Sequence, residues 1–188
     1  MKKTLTKKRI IFGSLLLFII TWGILLYFYK PSGIVNLMGV RNGYILIFII
    51  AIFGGVSSFT SASFFTTLIT LAIGGLNPFF LGIVGGIGVT VGDSLFFYFG
   101  YNGRSLIPKR VLKKIDRFSR WISTRHNWFV PVVAFVYAGL TPLPNDILMV
   151  SLAVANIKYK RIVIPVLLGN MFLVTVVAFL AVKGGAIF

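Results

Sequence analysis

The chain has 188 residues, 57% of them hydrophobic, with 19 Lys and Arg against 3 acids and no cysteine, and a mean hydropathy of +0.96. That apolar content exceeds the 45–50% or so of soluble domains and, with repeated near-uncharged runs of about 20 residues, indicates an all-α polytopic membrane protein with no separate soluble domain. The absence of cysteine excludes disulfides, thiolate metal sites and cysteine catalysis, and the net charge of +16 lies in short blocks beside the apolar runs, where membrane topology accounts for it better than nucleic acid does.

The N-terminus, "MKKTLTKKRIIFGSLLLFIITWGILLYFYK", begins like a signal peptide. It is expected to stay attached. Its apolar core, Ile10 to Tyr29, is 20 residues long, against about 7 to 15 for a cleavable segment, and no small-x-small site follows. Residues 1–43 thus read as a basic segment with one transmembrane helix.

The next apolar stretch, 44–76, has 33 residues, too many for one span and too few for two. "SSFTSAS" at 57–63 gathers small hydroxyl residues that bond locally to backbone. It leaves two arms, Tyr44 to Val56 and Phe64 to Leu76, each of 13 residues and reaching only about 20 Å. The pair predicts a re-entrant hairpin with Thr60, Ser61 and Ser63 at its tip. Residues 78–99 follow as a 22-residue crossing.

Residues 101–127 form a basic connector. In "SLIPKRVLKKIDRFSRWIST", Val111, Ile115, Phe118 and Ile122 share one helical face, while Lys109, Lys113, Lys114, Arg117 and Arg120 occupy others. This predicts an interfacial helix on the cytoplasmic leaflet, serving as topology anchor or as a collector of anionic lipid. His126 lies at the membrane edge.

The stretch 128–182 repeats the earlier plan. Trp128 to Ala138 and Ile147 to Asn156 are short arms around "GLTPLPND", where Pro142 and Pro144 force a turn. Ile162 to Val182 then crosses as 21 residues. With the N-terminus cytoplasmic and each hairpin returning to its own side, 16 cations face inward and only Lys30, Arg41 and Lys183 outward, as the positive-inside rule requires. The units 44–100 and 128–183 then become inverted repeats, each a re-entrant helical hairpin plus a transmembrane helix. That is a recurrent transporter plan.

Two acids stand inside apolar segments. Gly82, Gly85, Gly86, Gly92 and Asp93 fall within an arc of roughly 120°, so Asp93 faces protein or a cavity. An intramembrane carboxylate costs about 2.5–3.5 kcal/mol on insertion scales and marks an ion or substrate pathway, unless it is a hydrogen-bonded structural group. Asp146, after Pro144 and Asn145, can cap the second arm or meet a substrate at the midplane, and Asn145 shares both options. Asn170 reads as interhelical glue. Asp116, among Lys113, Lys114 and Arg117, reads as a solvated ion-pair partner. No HExxH, GxSxG, Walker A or acidic metal cluster is present, and no cofactor is expected. An intramembrane aspartyl protease would need a glycine where Thr90 or Val91 stands, and the chain is not expected to be an enzyme.

"GGIGVTVGDSLFFYFGYNGRS" resembles the G-x-x-x-G-D-x-x-x-Y-x-x-G-R segment of the DedA family, also called the VTT or SNARE-associated Golgi protein domain. "FVPVVAFVYAGLTPLPNDILMVSLAVANIKYKRIVIPVLLGN" is similar to that family's second hairpin and final span, so the resemblance covers about residues 44–183. It implies a flippase- or scramblase-like lipid transporter of the cell (inner or plasma) membrane, carrying a polyprenyl phosphate such as undecaprenyl phosphate, or an anionic phospholipid. Proton coupling and a homo-oligomer are open. By resemblance Asp93 and Arg104 match the G-D and G-R residues, Lys109 and Arg110 join Arg104 in drawing headgroups, and Pro142, Pro144, Asn145 and Asp146 match the second tip. The chain departs from the family's phosphate carriers at Ser61, Ala62 and Ser63, where they place an acid with prolines, and in their R-F-x-P-x-x-R segment, where this chain has Trp128, Phe129, Pro131 and Ala134 and so lacks both arginines. A non-transporting membrane assembly factor is the alternative.

Overall fold

The computed structural model describes Leu17 and residues 42–54, 58–110, 112, 113, 117, 128–141 and 145–185. The span predicted over 10–29 lies outside the described residues apart from Leu17, as do Pro142, Pro144, Asp116, His126 and the apolar face of the connector. The described residues form six α-helices and two 3-10 turns, with no strand among them: α1 Gly43–Gly54, α2 Ser58–Ile73, α3 Pro78–Gly103 followed by the turn Arg104–Leu106, α4 Phe129–Leu140, α5 Asn145–Val154, the turn Tyr159–Arg161, and α6 Val163–Gly185.

Two of these helices are long and apolar enough to cross a membrane. At 1.5 Å per residue, α3 with 26 residues and α6 with 23 reach about 39 and 35 Å, beyond the roughly 30 Å hydrocarbon core. Asn77 starts α3: its Oδ1 accepts the Phe79 N–H at 2.9 Å, and Pro78 takes the first helical position, where no N–H partner is needed. Along the outside of α3 and α6, Ile87, Val91 and Leu95, and Ile164, Leu168, Phe172 and Val176, stand exposed at four-residue steps. Such stripes suit acyl chains.

The other four helices are too short to span, at 10 to 16 residues. The first arm ends at Gly54 and the second begins at Ser58. The hydroxyl-rich segment predicted as the tip is therefore helical from Ser58, and Ser61 and Ser63 lie in the opening turns of α2. Further along the same helix hydroxyls bond within it, Thr67 Oγ1 donating to the Ser63 carbonyl at 2.9 Å and Thr70 Oγ1 to the Thr66 carbonyl at 2.8 Å, which shows how hydroxyl residues can sit in a helix without breaking it.

α3 and α6 form the centre. Their contact runs in opposite senses along the two chains, with Gly82 against Thr175, Gly85 against Val174 and Gly86 against Met171, so the helices are antiparallel. A Cβ on Gly82 would overlap Thr175, and one on Gly86 would sit 2.6 Å from the Met171 Cα. Glycine is what lets the backbones approach. The small face predicted on α3 is buried throughout: Gly82, Gly85, Gly86, Gly92 and Asp93. Around this pair, α1 packs on α3 and α2 on α6, while α4 packs on α6 and α5 on α3. One apolar core gathers Ile47, Phe64, Leu68, Leu81 and Val174. A second gathers Phe97, Ala134, Met149, Ile162 and Val166.

Candidate functional site

Asp93 is fully buried, and Asn170 on α6 is 1% exposed. Asn170 Nδ2 donates to Asp93 Oδ2 at 2.7 Å and to Thr90 Oγ1 at 3.0 Å. Asn145, the first residue of α5, donates from Nδ2 to Asp93 Oδ2 at 3.1 Å and to Asn170 Oδ1 at 2.8 Å. Thr90 Oγ1 donates in turn to the Gly86 carbonyl at 2.8 Å. Two amides and one carboxyl thereby tie three helices, α3, α5 and α6, at one point.

Local sequence explains each placement. Thr90 and Asp93 are three apart on α3 and share its glycine face, one turn beyond the close approach at Gly86. Asn170 follows Gly169, whose missing side chain lets α6 lie against α4: a Cβ on Gly169 would sit 2.8 Å from the Phe135 carbonyl oxygen, and one on Gly139 would sit 3.0 Å from the Gly169 Cα. Asn145 is the first residue of α5, so its amide projects where the short helix abuts α3.

One feature of the cluster is incomplete. Asp93 Oδ1 is buried and has no hydrogen-bond partner among the described residues, so the carboxyl can take one further donor or a cation there. No three His, Cys, Asp or Glu come together among the described residues, so any metal at Asp93 would rely on amide and hydroxyl oxygens.

Asp146 is only partly buried, and its Oδ1 accepts the Ile147 N–H at 2.8 Å. It satisfies a donor in the first turn of α5, the capping option, while Asn145 turns inward to the cluster. The hydrogen bonds of Asp93 go to Asn145 and Asn170, not to Asp146. Ser61 and Ser63 are half-buried in α2, and no bond of the Asp93 cluster reaches them. The side chain of Thr60, like Pro142 and Pro144, lies outside the described residues.

Arg104 is half-buried at the end of α3, about 16 Å beyond Asp93 along the helix. Its cation lies at the negative end of the helix dipole. Lys109 and Arg110 are exposed on the segment that follows. These cations do not join the Asp93 cluster; they mark the end of the helix that carries it.

Thr90 and Tyr159 belong to the assembly although the sequence offers no motif for either. Ser94 and Tyr159 share a hydroxyl–hydroxyl bond of 2.5 Å, and Ser94 Oγ also donates to the Thr90 carbonyl at 2.6 Å. The Tyr159 ring lies 5.2 Å from Phe97 and 5.5 Å from Tyr98, centroid to centroid. The turn between α5 and α6 is thereby fastened to α3 one residue from Asp93.

Comparisons with protein-family models, with curated proteins and with solved structures find no match for this chain.

Proposed function

We propose that this chain is a multi-pass membrane protein that moves a phosphate-headgroup lipid, a polyprenyl phosphate or a phospholipid, between leaflets in the manner of a DedA-type flippase or scramblase. The observation that carries the reading is the fully buried Asp93 held by Asn145 and Asn170. A carboxyl is costly among apolar helices and marks a pathway by default.

Its depth is consistent with a midplane site. In the topology set by the cations, Asp93 lies about 15 Å from the cytoplasmic end of α3 and Asn170 about 10 Å from that of α6, against roughly 15 Å for half a hydrocarbon core. The packing is consistent with an inverted repeat: exchanging the two halves maps α1 on α3 to α4 on α6, and α2 on α6 to α5 on α3. Each short pair then serves as a re-entrant hairpin that returns to its own side, and the resemblance in "GGIGVTVGDSLFFYFGYNGRS" agrees with that plan.

The residues divide the work. Arg104, Lys109 and Arg110 draw headgroups at the cytoplasmic surface. Asp93, Asn145, Asn170 and Thr90 supply hydrogen-bonding groups inside, lowering the cost of carrying a polar headgroup through the apolar layer. Asp146 stands at the start of α5 and Ser61 and Ser63 in the opening turns of α2, so both short helices offer polar groups near their N-termini. A proton or cation entering at Asp93 Oδ1 would couple transport to an ion gradient.

The test is reconstitution of folded protein into liposomes carrying fluorescent phospholipid or polyprenyl phosphate in one leaflet. Movement faster than in protein-free vesicles is expected. No acceleration for any of these lipids would defeat the proposal.

A further inference from the structure

We infer that the turn joining α5 to α6 is a phosphate-binding site distinct from the Asp93 cluster and from Arg104. An open cavity of about 470 Å³ is lined there by Asn156, Ile157, Lys158, Lys160 and Arg161. Three of its five lining residues are cations. Of the two acids among the described residues, Asp93 is buried in the helix cluster and Asp146 stands at the opposite end of α5, so no described carboxylate lines the cavity.

The turn is built to hold its shape. Asn156 takes a left-handed conformation, φ 62, which asparagine tolerates better than most residues. It closes α5 with the paired bonds of a helix-ending motif, Ile157 N–H to the Leu152 carbonyl at 3.0 Å and Asn156 N–H to the Ala153 carbonyl at 2.9 Å. Ile157 is buried, and Tyr159 is bonded to Ser94 and packed at a tilt against Phe97 and Tyr98. Lys158 and Lys160 remain exposed. The two anchored side chains alternate with the cations, so the charges are presented by a fixed backbone.

The charge placement points to an anionic ligand. These cations lie between the C-terminus of α5, whose dipole favours them, and the N-terminus of α6, whose first turn contains no acid and whose dipole opposes them. A bound anion relieves both that opposition and the mutual repulsion of the three side chains. The donor types suit a tetrahedral oxyanion, one guanidinium and two ammonium groups lining the same cavity, and the volume lies within the roughly 300–1,000 Å³ of small-ligand sites. The ligand is therefore a phosphate group, from a lipid headgroup or from solution. Only the lipid source rests on the membrane reading above.

The test reads binding without transport. Ser151, exposed on α5, is replaced by Cys, the sole cysteine in the full chain, and labelled with an environment-sensitive fluorophore in nanodiscs. One arm titrates phosphatidylglycerol into phosphatidylcholine discs; the other adds glycerol phosphate or inorganic phosphate to pure phosphatidylcholine discs. A saturable response is expected, weakened about fivefold by Lys160→Gln and on the order of 100-fold by the combined Lys158→Gln, Lys160→Gln and Arg161→Gln variant. Response to the lipid alone identifies a headgroup site, and response to the soluble anions identifies a phosphate site. Absence of response in either arm, or unchanged affinity in the combined variant and in each single variant, overturns the inference whatever the liposome result.

Discussion

Replacing Asn170 by Leu keeps the side chain's approximate size and removes three hydrogen bonds: to Asp93 at 2.7 Å, to Thr90 at 3.0 Å and from Asn145 at 2.8 Å. Interhelical bonds in membrane proteins are worth about 0.6 kcal/mol on average and up to about 1.7, so three amount to about 2–5 kcal/mol. Thr90 keeps its bond to Gly86 and Asn145 its bond to Asp93, which places the expected loss toward the lower end, about 2–3 kcal/mol. Reversible unfolding in mixed micelles, followed by tryptophan fluorescence, measures it. A double-mutant cycle with Asn145→Leu then isolates the pair, for which a coupling of about 0.6–1.7 kcal/mol is expected. A loss below about 0.5 kcal/mol with additive double-variant behaviour would show that the cluster does not join the three helices energetically.

Gly86→Ala places a methyl 2.6 Å from the Met171 Cα, and since backbone cannot step aside the variant should lose about 1–3 kcal/mol in the same unfolding assay. Gly184→Ala meets open space and should leave stability unchanged or slightly raised. Ser94→Ala removes the bond to Tyr159 and should cost about 1 kcal/mol; Tyr159→Phe should cost a similar amount, and the two together less than their sum. Asp146→Ala deprives the first turn of α5 of its acceptor at Ile147 and should cost about 0.5–2 kcal/mol, whereas Asp146→Asn should retain most of that stability.

Hydropathy and glycine spacing carried much of the fold. Among the described residues the two long helices are those predicted over 78–99 and 162–182, because bilayer length and a buried small-residue face are both properties of residues near one another in sequence. The first tip was displaced for the opposite reason: five hydroxyl residues within seven suggest a break, yet serine and threonine can return their hydroxyls to carbonyls four residues back, and Ser58 onward is helical. The candidate site was half legible. Asp93 stood out as a lone acid in an apolar helix, but its partners lie 52 and 77 residues away. Which of Asn145 and Asp146 would cap α5 and which would turn inward depended on where α3 lies, and local sequence does not specify that. Tyr159 gave no signal because a tyrosine beside an apolar run is commonplace, and only the packing shows it bonded to Ser94.

The most direct test of the central claim compares lipid movement by the parent chain with that by Asp93→Asn, at equal amounts of folded protein in the same liposomes. The parent is expected to accelerate translocation of a phosphate-headgroup lipid above protein-free vesicles, and Asp93→Asn to lose most of this acceleration while remaining folded. Full translocation by Asp93→Asn, or none by the parent, would contradict that claim, and the latter would favour a non-transporting role in membrane assembly.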